Sequence, residues 1–250
     1  LQSSLGGVEQ MARLQLGRQL SGGLVWRDGV FNAALLRLDS NDVGWPSAPG
    51  FEIEGRVPRL SLADWQPWLD RLQKSTSRTV ASARLPGLTR LEIEAREMEA
   101  NGWRLGNARL AVKREAAAWR VGLTNEDLAG TVLWPDAEGK ECELAITRLH
   151  WPLPGMPDAA AAGAGNAALP ATRPVSVSID GLRMRQYPGF GQMSGAVRLS
   201  PSPYGVRMDE LKVRTAVAAF DGRLDWQWRG GDSTRLRGVA SRGAANDSST

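Results

Sequence analysis

A short pattern of alternating residues, apolar-x-Gly-x-apolar-x-Trp, occurs twice in the chain and constrains its fold more than any other feature. The first copy is Leu128–Trp134, and the second is Phe220–Trp226, which Trp228 extends. Because side chains alternate between the two faces of a β-strand, this period of two places the named residues of each copy on one face. A shortened relative, Ile53–Val57, ends at Pro58 instead of Trp. The pattern predicts a strand that closes a repeated β module.

Similar alternation continues through most of the chain. Leu91, Ile93 and Ala95 alternate with charged residues, and comparable runs are separated by short turns such as Asn101–Gly102 and Asp28–Gly29. Sequential strands joined by short turns form an antiparallel meander. The residues therefore predict a mainly β fold, in which an antiparallel sheet has one apolar and one charged face.

The periodicity changes after Ser61. The stripe of Trp65, Trp68, Leu69 and Leu72 has the spacing i, i+3, i+4, i+7 that is typical of a helix. This predicts one short helix near residues 61–75, packed on the sheet or against its edge. A ligand-binding role for the two tryptophans is the alternative interpretation.

Composition and repetition predict the domain organisation. Residues 1–155 are expected to form the first β module or modules, including the helix at 61–75. Residues 156–173 are an Ala/Gly/Pro-rich linker, expected to be disordered or extended. Residues 174–240 repeat the earlier module, and 241–250 are expected to be a disordered end.

Signals of catalysis are weak in this sequence. Cys142 and His150, the single cysteine and single histidine, lie eight residues apart on one predicted strand and on the same face. At strand rise they are about 26 Å apart, too far to share a metal or form a nucleophile–base pair. Glu92 and Glu94 are explained by a charged sheet face. With no phosphate-binding loop or nucleophile elbow, the sequence predicts a protein that is not an enzyme and has no metal or other cofactor.

Charge and hydropathy narrow the choice of partners. The net charge is +4, but the basic residues are scattered along the strands and mixed with acidic ones, which argues against a nucleic-acid interface. Weak attraction to an anionic membrane surface stays open. No run approaches the roughly 18 apolar residues of a membrane span. Because the chain begins at Leu1 without a leader, we expect it to be part of a longer protein.

Several motifs resemble the AsmA-like superfamily, in particular the large YhdP-type envelope proteins. They are GWRLG from Gly102, the strand LAGTVLWP from Leu128, and the order ELAITRLHWPLPG, linker, RPVSVSIDGLRM between Glu143 and Met184. FEIEGRVPRLSLADWQPWL from Phe51 is similar to an element upstream of these motifs. The resemblance covers roughly residues 50 to 240.

The resemblance implies a fold and a function. Such proteins are anchored in the inner membrane of Gram-negative bacteria by an N-terminal helix, which this sequence lacks, so this chain would be a periplasmic segment. The sheet would be elongated, twisted and curled into a groove with an apolar lining. That groove would carry phospholipid acyl chains towards the outer membrane and support its barrier integrity. Envelope protein partners are not identified by the resemblance.

The residues expected to line such a groove lie on the apolar phase of their strands. They are Leu91, Ile93, Leu110, Val121, Leu128, Val132, Trp134, Val177, Ile179, Val197, Phe220, Leu224, Trp226 and Trp228. Pattern alone favours a closed core, because the same alternation describes any sheet packed on a second layer. The resemblance reverses that preference. The tryptophans are alternatively rim anchors, and Gly130 and Gly222 are expected to allow strand coiling or a bulge.

A second function from another class is a non-enzymatic β-sandwich module that binds polysaccharide or a protein partner. The ten tryptophans suggest it, but most of them lie on the apolar phase of their strands. Trp45 and Trp103 are the exceptions that such a module would use.

Overall fold

The structure is a computed structural model. It describes residues 8–64, 67, 87–100, 103–151, 173–202, 205–215, 218–229 and 233–243. The chain divides into two compact units, which we call unit 1 (Leu1–Arg114) and unit 2 (Glu115–Thr250). In each unit the described β-strands lie side by side in chain order, and the first and last strands do not pair with each other. The predicted mainly β class, with an open sheet, is therefore confirmed.

Unit 1 contains six described strands: β1 (Glu9–Leu16), β2 (Leu20–Arg27), β3 (Val30–Leu38), β4 (Gly50–Ser61), β5 (Leu88–Ala100) and β6 (Trp103–Glu115). The predicted hairpin at Asp28–Gly29 joins β2 to β3. Both turn residues have positive φ, 53° and 74°, as a tight two-residue hairpin turn requires. Residues 62–64 are helical, and the rest of the predicted helix, with Trp65 and Trp68, lies outside the described residues.

Unit 2 contains eight described strands: β7 (Ala118–Thr124), β8 (Leu128–Pro135), β9 (Cys142–Trp151), β10 (Val175–Met184), β11 (Gln192–Ser202), β12 (Gly205–Arg214), β13 (Ala219–Arg229) and β14 (Ser233–Gly243). A single 3-10 turn, Pro188–Phe190, precedes β11. The last strand extends to Gly243, into the segment expected to be a disordered end. Residues 244–250 and the linker up to residue 172 lie outside the described residues.

The prediction that neighbouring strands pair antiparallel is correct for most described pairs and wrong for three of them. The pairs β3–β4, β4–β5 and β9–β10 are parallel. Each follows a long connection, at residues 39–49, 62–87 and 152–174. Parallel neighbours need a crossover of this kind, because the chain must return to the end where the previous strand began. The sequence predicts a loop, a helix and a linker for these connections, but it does not predict the parallel pairing that they imply.

Parallel pairing also relates the sequence repeat to the fold. The strands β5 and β10, whose apolar residues match in the sequence, both enter the sheet parallel to the strand before them. The pairing of β9 with β10 places the strands before the linker in the same unit as those after it. The boundary between the compact units lies between Arg114 and Glu115.

The core of unit 1 is formed by apolar residues of β3 to β6. Ile53 opposes Leu91, and Ile93 opposes Leu110 in the ladder. All four are buried, and Ile93 is fully inaccessible. Burial of such side chains is the main favourable term in folding. We call these residues, with the buried Ala95 and Ala108, the unit 1 apolar face.

The unit 1 core continues towards the far end of β4, β5 and β6, where the strict alternation of buried and exposed residues is interrupted. Leu60, Met98 and Leu105 oppose one another and are also buried, although each lies three residues along its strand from the next apolar residue of this face, which is Val57, Ala95 or Ala108. The step occurs at the same level in all three strands, where Asn107 has a φ of 46°. One extra residue in each strand restores the apolar phase, because a shift by one residue exchanges the two faces.

The connection 39–49 covers the opposite face of β2 and β3. The hydroxyl of Ser21 donates to the carbonyl oxygen of Asp42 at 2.8 Å. A Cβ built on Gly23 would lie 2.5 Å from the ring of Trp45, so the absence of a side chain there lets the loop pack closely. Val25, Ala33 and Leu35 are consequently buried on this second face.

Candidate functional site

The candidate site is the apolar side of unit 2, where the ladder aligns apolar residues from strand to strand. In one row Val121, Val132, Leu144, Val177 and Val197 oppose each other in turn. Two further rows flank it. One consists of Leu123, Gly130, Ile146, Ile179, Gly195, Val213 and Phe220. The other consists of Cys142, Val175, Leu199 and Met208, with Trp119 opposing Trp134 at its β7–β8 end. We call this surface the unit 2 apolar face.

This face is half-exposed. Among the residues whose side chains the structure describes, Cys142 and Met193 are the buried apolar residues of unit 2, and every other buried apolar residue belongs to unit 1. Trp134 and Phe220 are 49% and 38% exposed. The described part of unit 2 therefore presents a wide apolar surface with no second layer of strands packed on it, which is unusual for a protein surface and typical of a binding site.

Bulges keep the apolar residues on this face along the strands. In β9 the pattern steps from Ile146 to Leu149, and in β10 it steps from Ile179 to Leu182. Leu149 still opposes Leu128 and Leu182 still opposes Met193, with register shifts between these pairs and the preceding ones. Without the extra residue every later side chain would point to the other face.

Glycine is required where these bulges bring strands together. A Cβ at Gly181 would lie 2.4 Å from the carbonyl oxygen of Thr147, and one at Gly130 would lie 2.9 Å from that of Ala145. Gly130 lies at a register shift of β8 and β9, and Gly222 lies at a shift of β12 and β13. The expectation that Gly130 and Gly222 accompany bulges is confirmed.

The predicted lining residues fall into two sets. Leu91, Ile93 and Leu110 share the unit 1 apolar face, where they are buried. Those of unit 2 share the unit 2 apolar face: Val121, Leu128, Val132, Trp134, Val177, Ile179, Val197 and Phe220. Leu224 opposes Met208 and Trp226 opposes Val206 in the ladder, while the side chains of Leu224, Trp226 and Trp228 lie outside the described set.

Sequence reasoning missed several members of the face. They include Leu144, Ile146, Leu149, Leu182 and Met193. The predicted lining also omits Val175, Leu199 and Met208, although the sequence places these three on the apolar phase of their strands. Strict alternation predicts a change of face at the three-residue steps, so a search for period two alone breaks these strands into short runs. The recurring step in neighbouring strands is the signal that would have found them.

Arg173 lies at the Trp134 end of the face. Its guanidinium carbon lies 4.7 Å from the centroid of the Trp134 ring, a cation–π contact. Its Nη1 donates to the carbonyl oxygen of Pro135 at 2.8 Å. These two contacts hold a positive charge beside an exposed indole.

A polar cluster lies at the other end of β8 and β9. The buried carboxylate of Asp127 accepts from Arg185 and is 3.2 Å from Nδ1 of His150. Asn125 Oδ1 accepts from the backbone N–H groups of Asp127 and Leu128, and Arg148 donates to the carbonyl oxygen of Asn125 at 2.7 Å. These bonds fix the turn between β7 and β8.

The separation predicted for Cys142 and His150 agrees with their positions at opposite ends of β9. The expectation that they share a face is wrong, because the bulge after Ile146 inserts one residue between them. Cys142 opposes Val175 on the apolar face, whereas His150 opposes Arg183 and bonds to Asp127.

The other side of the unit 1 sheet carries charges that neutralise one another. Arg37 bonds to Glu54 at 2.6 Å and Arg56 to Glu94 at 2.9 Å. Glu92 accepts from Arg109 and from Arg90, and these hydrogen bonds, that from Arg109 first, lower the pKa of Glu92 below its usual value. Paired charges of this kind are typical of a solvated sheet face.

The two tryptophans singled out for a glycan-binding module do not form a common surface. Trp45 lies over Gly23 in the connection 39–49, and Trp103 begins β6 opposite Ala100. Within the described ranges, no group of three or more His, Cys, Asp or Glu residues is placed to hold a metal ion. Among the described helical residues, none belongs to a helix long and apolar enough to cross a membrane.

Comparison with known proteins identifies a family. The model of a protein family described as "YhdP protein" matches residues 1–246. No curated protein and no solved structure matches the chain.

Proposed function

Because this chain belongs to the YhdP family of envelope proteins, we propose that it is a periplasmic segment of a longer, inner-membrane-anchored protein that moves phospholipids towards the outer membrane. In this proposal the unit 2 apolar face contacts the acyl chains. The role is that of a passive conduit and involves no catalysis and no cofactor.

The half-exposed, in-register apolar face of β7 to β13 is the observation that supports this proposal most strongly. Acyl chains need apolar contact area, which contributes about 25 cal/mol for each Å² removed from water. The rows run across the strands, so a chain moving from strand to strand meets similar side chains at each step. Uniform contacts keep the free energy nearly constant along the path, which favours sliding over trapping.

The charged side of the sheets fits the same role. Ion pairs such as Arg56–Glu94 present a solvated surface, which suits an aqueous periplasm and gives lipid no apolar contact. Within unit 2, the three rows of the apolar face contain no charged residue among their described members.

The test is a pair of neighbouring substitutions on β8. Val132 lies on the apolar face, whereas Thr131 is exposed on the other side of the same strand. We expect Val132→Asp to weaken binding of a fluorescent fatty-acid probe at least tenfold, because the probe's chain would have to desolvate a carboxylate. Thr131→Asp is the matched control and should bind like the wild type.

Circular dichroism and urea unfolding establish that both variants are folded. Phospholipid that co-purifies with the wild type, identified by mass spectrometry, should be depleted in Val132→Asp alone. A folded, lipid-free wild type that takes up no probe would contradict the conduit. Equal loss of binding in both variants would show that the site is not this face.

A further inference from the structure

We propose that Arg173 and Trp134 form a binding site for the anionic headgroup of a lipid whose acyl chain lies on the unit 2 apolar face. This inference rests on the proposed function and adds to it the class of headgroup, a phosphate or a carboxylate.

The guanidinium of Arg173 is held in place before any lipid arrives. The cation–π contact holds its guanidinium carbon 4.7 Å from the centroid of the Trp134 ring, and the 2.8 Å bond to the carbonyl oxygen of Pro135 fixes one of its nitrogens. A guanidinium has five N–H donors in a planar fork that matches two oxygens of a phosphate or carboxylate. The bond to Pro135 uses one of these donors, so a two-point contact with an anion remains geometrically open.

Charge also favours an anion at this position. Within the described part of the chain, Arg173 forms no ion pair with a carboxylate. Its cation–π contact leaves the positive charge unneutralised. Charge-assisted bonds to phosphate or carboxylate are about twice as strong as neutral ones, so an anionic headgroup gains most here.

The two ends of the unit 2 apolar face differ in whether the cation there already has an acidic partner. At the Trp134 end the cation of Arg173 has no acidic partner among the described residues. At the Leu128 end the cation of Arg185 is already paired with the buried carboxylate of Asp127, so it attracts a further anion less strongly. Trp134 lies six positions after Leu128 on β8, about 20 Å at strand rise, so a long apolar chain has room between the two ends.

Three probes on the full chain test the site by isothermal titration calorimetry: dodecyl phosphate, dodecanol and inorganic phosphate. We expect dodecyl phosphate to bind about tenfold more tightly than dodecanol, as one charge-assisted contact predicts. Inorganic phosphate should bind far more weakly than either amphiphile, because it has no apolar chain. Arg173→Ala should remove the tenfold preference and leave the affinity for dodecanol unchanged.

Arg183→Ala is the matched control, since Arg183 is an exposed arginine on the other side of β10; it should keep the preference. Equal affinities of the two amphiphiles in the wild type, or a preference retained in Arg173→Ala, would overturn the headgroup site while leaving the acyl-chain role intact. Inorganic phosphate that binds as tightly as dodecyl phosphate would show a free-anion site and overturn the lipid assignment. Binding of neither amphiphile would overturn the proposed function and this inference together.

Discussion

Units 1 and 2 are built from similar alternating strands, yet their apolar faces differ in exposure. Leu91 and Ile93 in unit 1 are buried, whereas Val175 and Val177, their counterparts in the sequence repeat, are half-exposed. Because buried apolar area stabilises the fold while exposed apolar area is available to a ligand, the two faces serve different purposes. The comparison teaches that the strand pattern fixes which residues share a face, while packing decides whether that face is core or surface.

Unit 1 illustrates how packing makes a core. Its connection 39–49 lies across β2 and β3, so the sheet there is buried on both sides, with Val25 and Leu35 beneath the loop and Ala34 on the opposite side. We infer that unit 1 supplies stability and that unit 2 supplies the binding surface.

The prediction with the largest expected effect compares how much stability the protein loses when Ile93 of unit 1 and Ile179 of unit 2 are each replaced by alanine. Ile93→Ala removes a fully buried side chain and leaves a cavity, so the free energy of unfolding should fall by about 2–5 kcal/mol. Ile179→Ala removes a half-exposed side chain and should cost about 1 kcal/mol or less. Urea unfolding followed by circular dichroism measures both changes.

The same two variants separate stability from binding. Ile179→Ala should weaken binding of the fatty-acid probe, whereas Ile93→Ala, measured below its unfolding transition, should not. Equal stability losses would show that the face of unit 2 is a core after all, and the distinction between the units would fail.

A smaller effect concerns the bulges that hold the unit 2 face in phase. Gly181→Ala places a Cβ against the carbonyl oxygen of Thr147, which belongs to the neighbouring strand and cannot rotate away, so we expect a loss of about 1–3 kcal/mol. Gly106→Ala in β6 of unit 1 is the matched control, since a Cβ there meets nothing within 4 Å. It should change stability by no more than about 0.5 kcal/mol.

Thermal unfolding of the two glycine variants gives the comparison directly. If Gly181→Ala is as stable as the wild type, the bulge in β10 adapts freely, and it does not fix which residues lie on the apolar face. A large loss in Gly106→Ala would instead show that β6 is packed more tightly than its exposure suggests.

The sequence identified most of what depends on local alternation. The hairpin at Asp28–Gly29 and the shared face of Val132, Val177 and Val197 follow from period two and turn chemistry, and both occur in the structure. The parallel pairs were missed because pairing direction depends on where a connection returns the chain, which no strand pattern encodes.

Two other features could not be predicted from the sequence, because they depend on tertiary structure. The cation of Arg173 meets Trp134 across a stretch of nearly forty residues of chain, a contact that depends on the tertiary path and not on spacing in the sequence. The solvent exposure of each apolar face could not be predicted from the sequence either, because Ile93 and Ile179 have the same local pattern and differ in what surrounds them.

The smallest expected effect lies on the charged side of unit 1 and tests whether that side contributes to stability. Hydrogen bonds from Arg109 and Arg90 lower the pKa of Glu92. A carboxyl whose pKa is lower in the folded state stabilises the fold above its unfolded pKa, about 4.3, and this contribution is lost as the pH falls through the folded pKa. Glu92→Gln should therefore be less stable than the wild type at pH 7, and the difference should shrink below pH 4.

The expected difference at pH 7 is about 1 kcal/mol at most, because solvent and salt screen ion pairs on a sheet surface. Urea unfolding of Glu92→Gln and of the wild type between pH 3 and pH 7 measures it, and added salt should reduce it. Glu138→Gln, in the exposed turn after β8, is the control and should follow the wild type at every pH. A difference that persists unchanged at pH 3 would show that Glu92 acts through packing and not through its charge. Glu92 lies outside unit 2 and Glu138 lies in a turn outside its apolar face, so neither substitution should alter binding of the fatty-acid probe to unit 2.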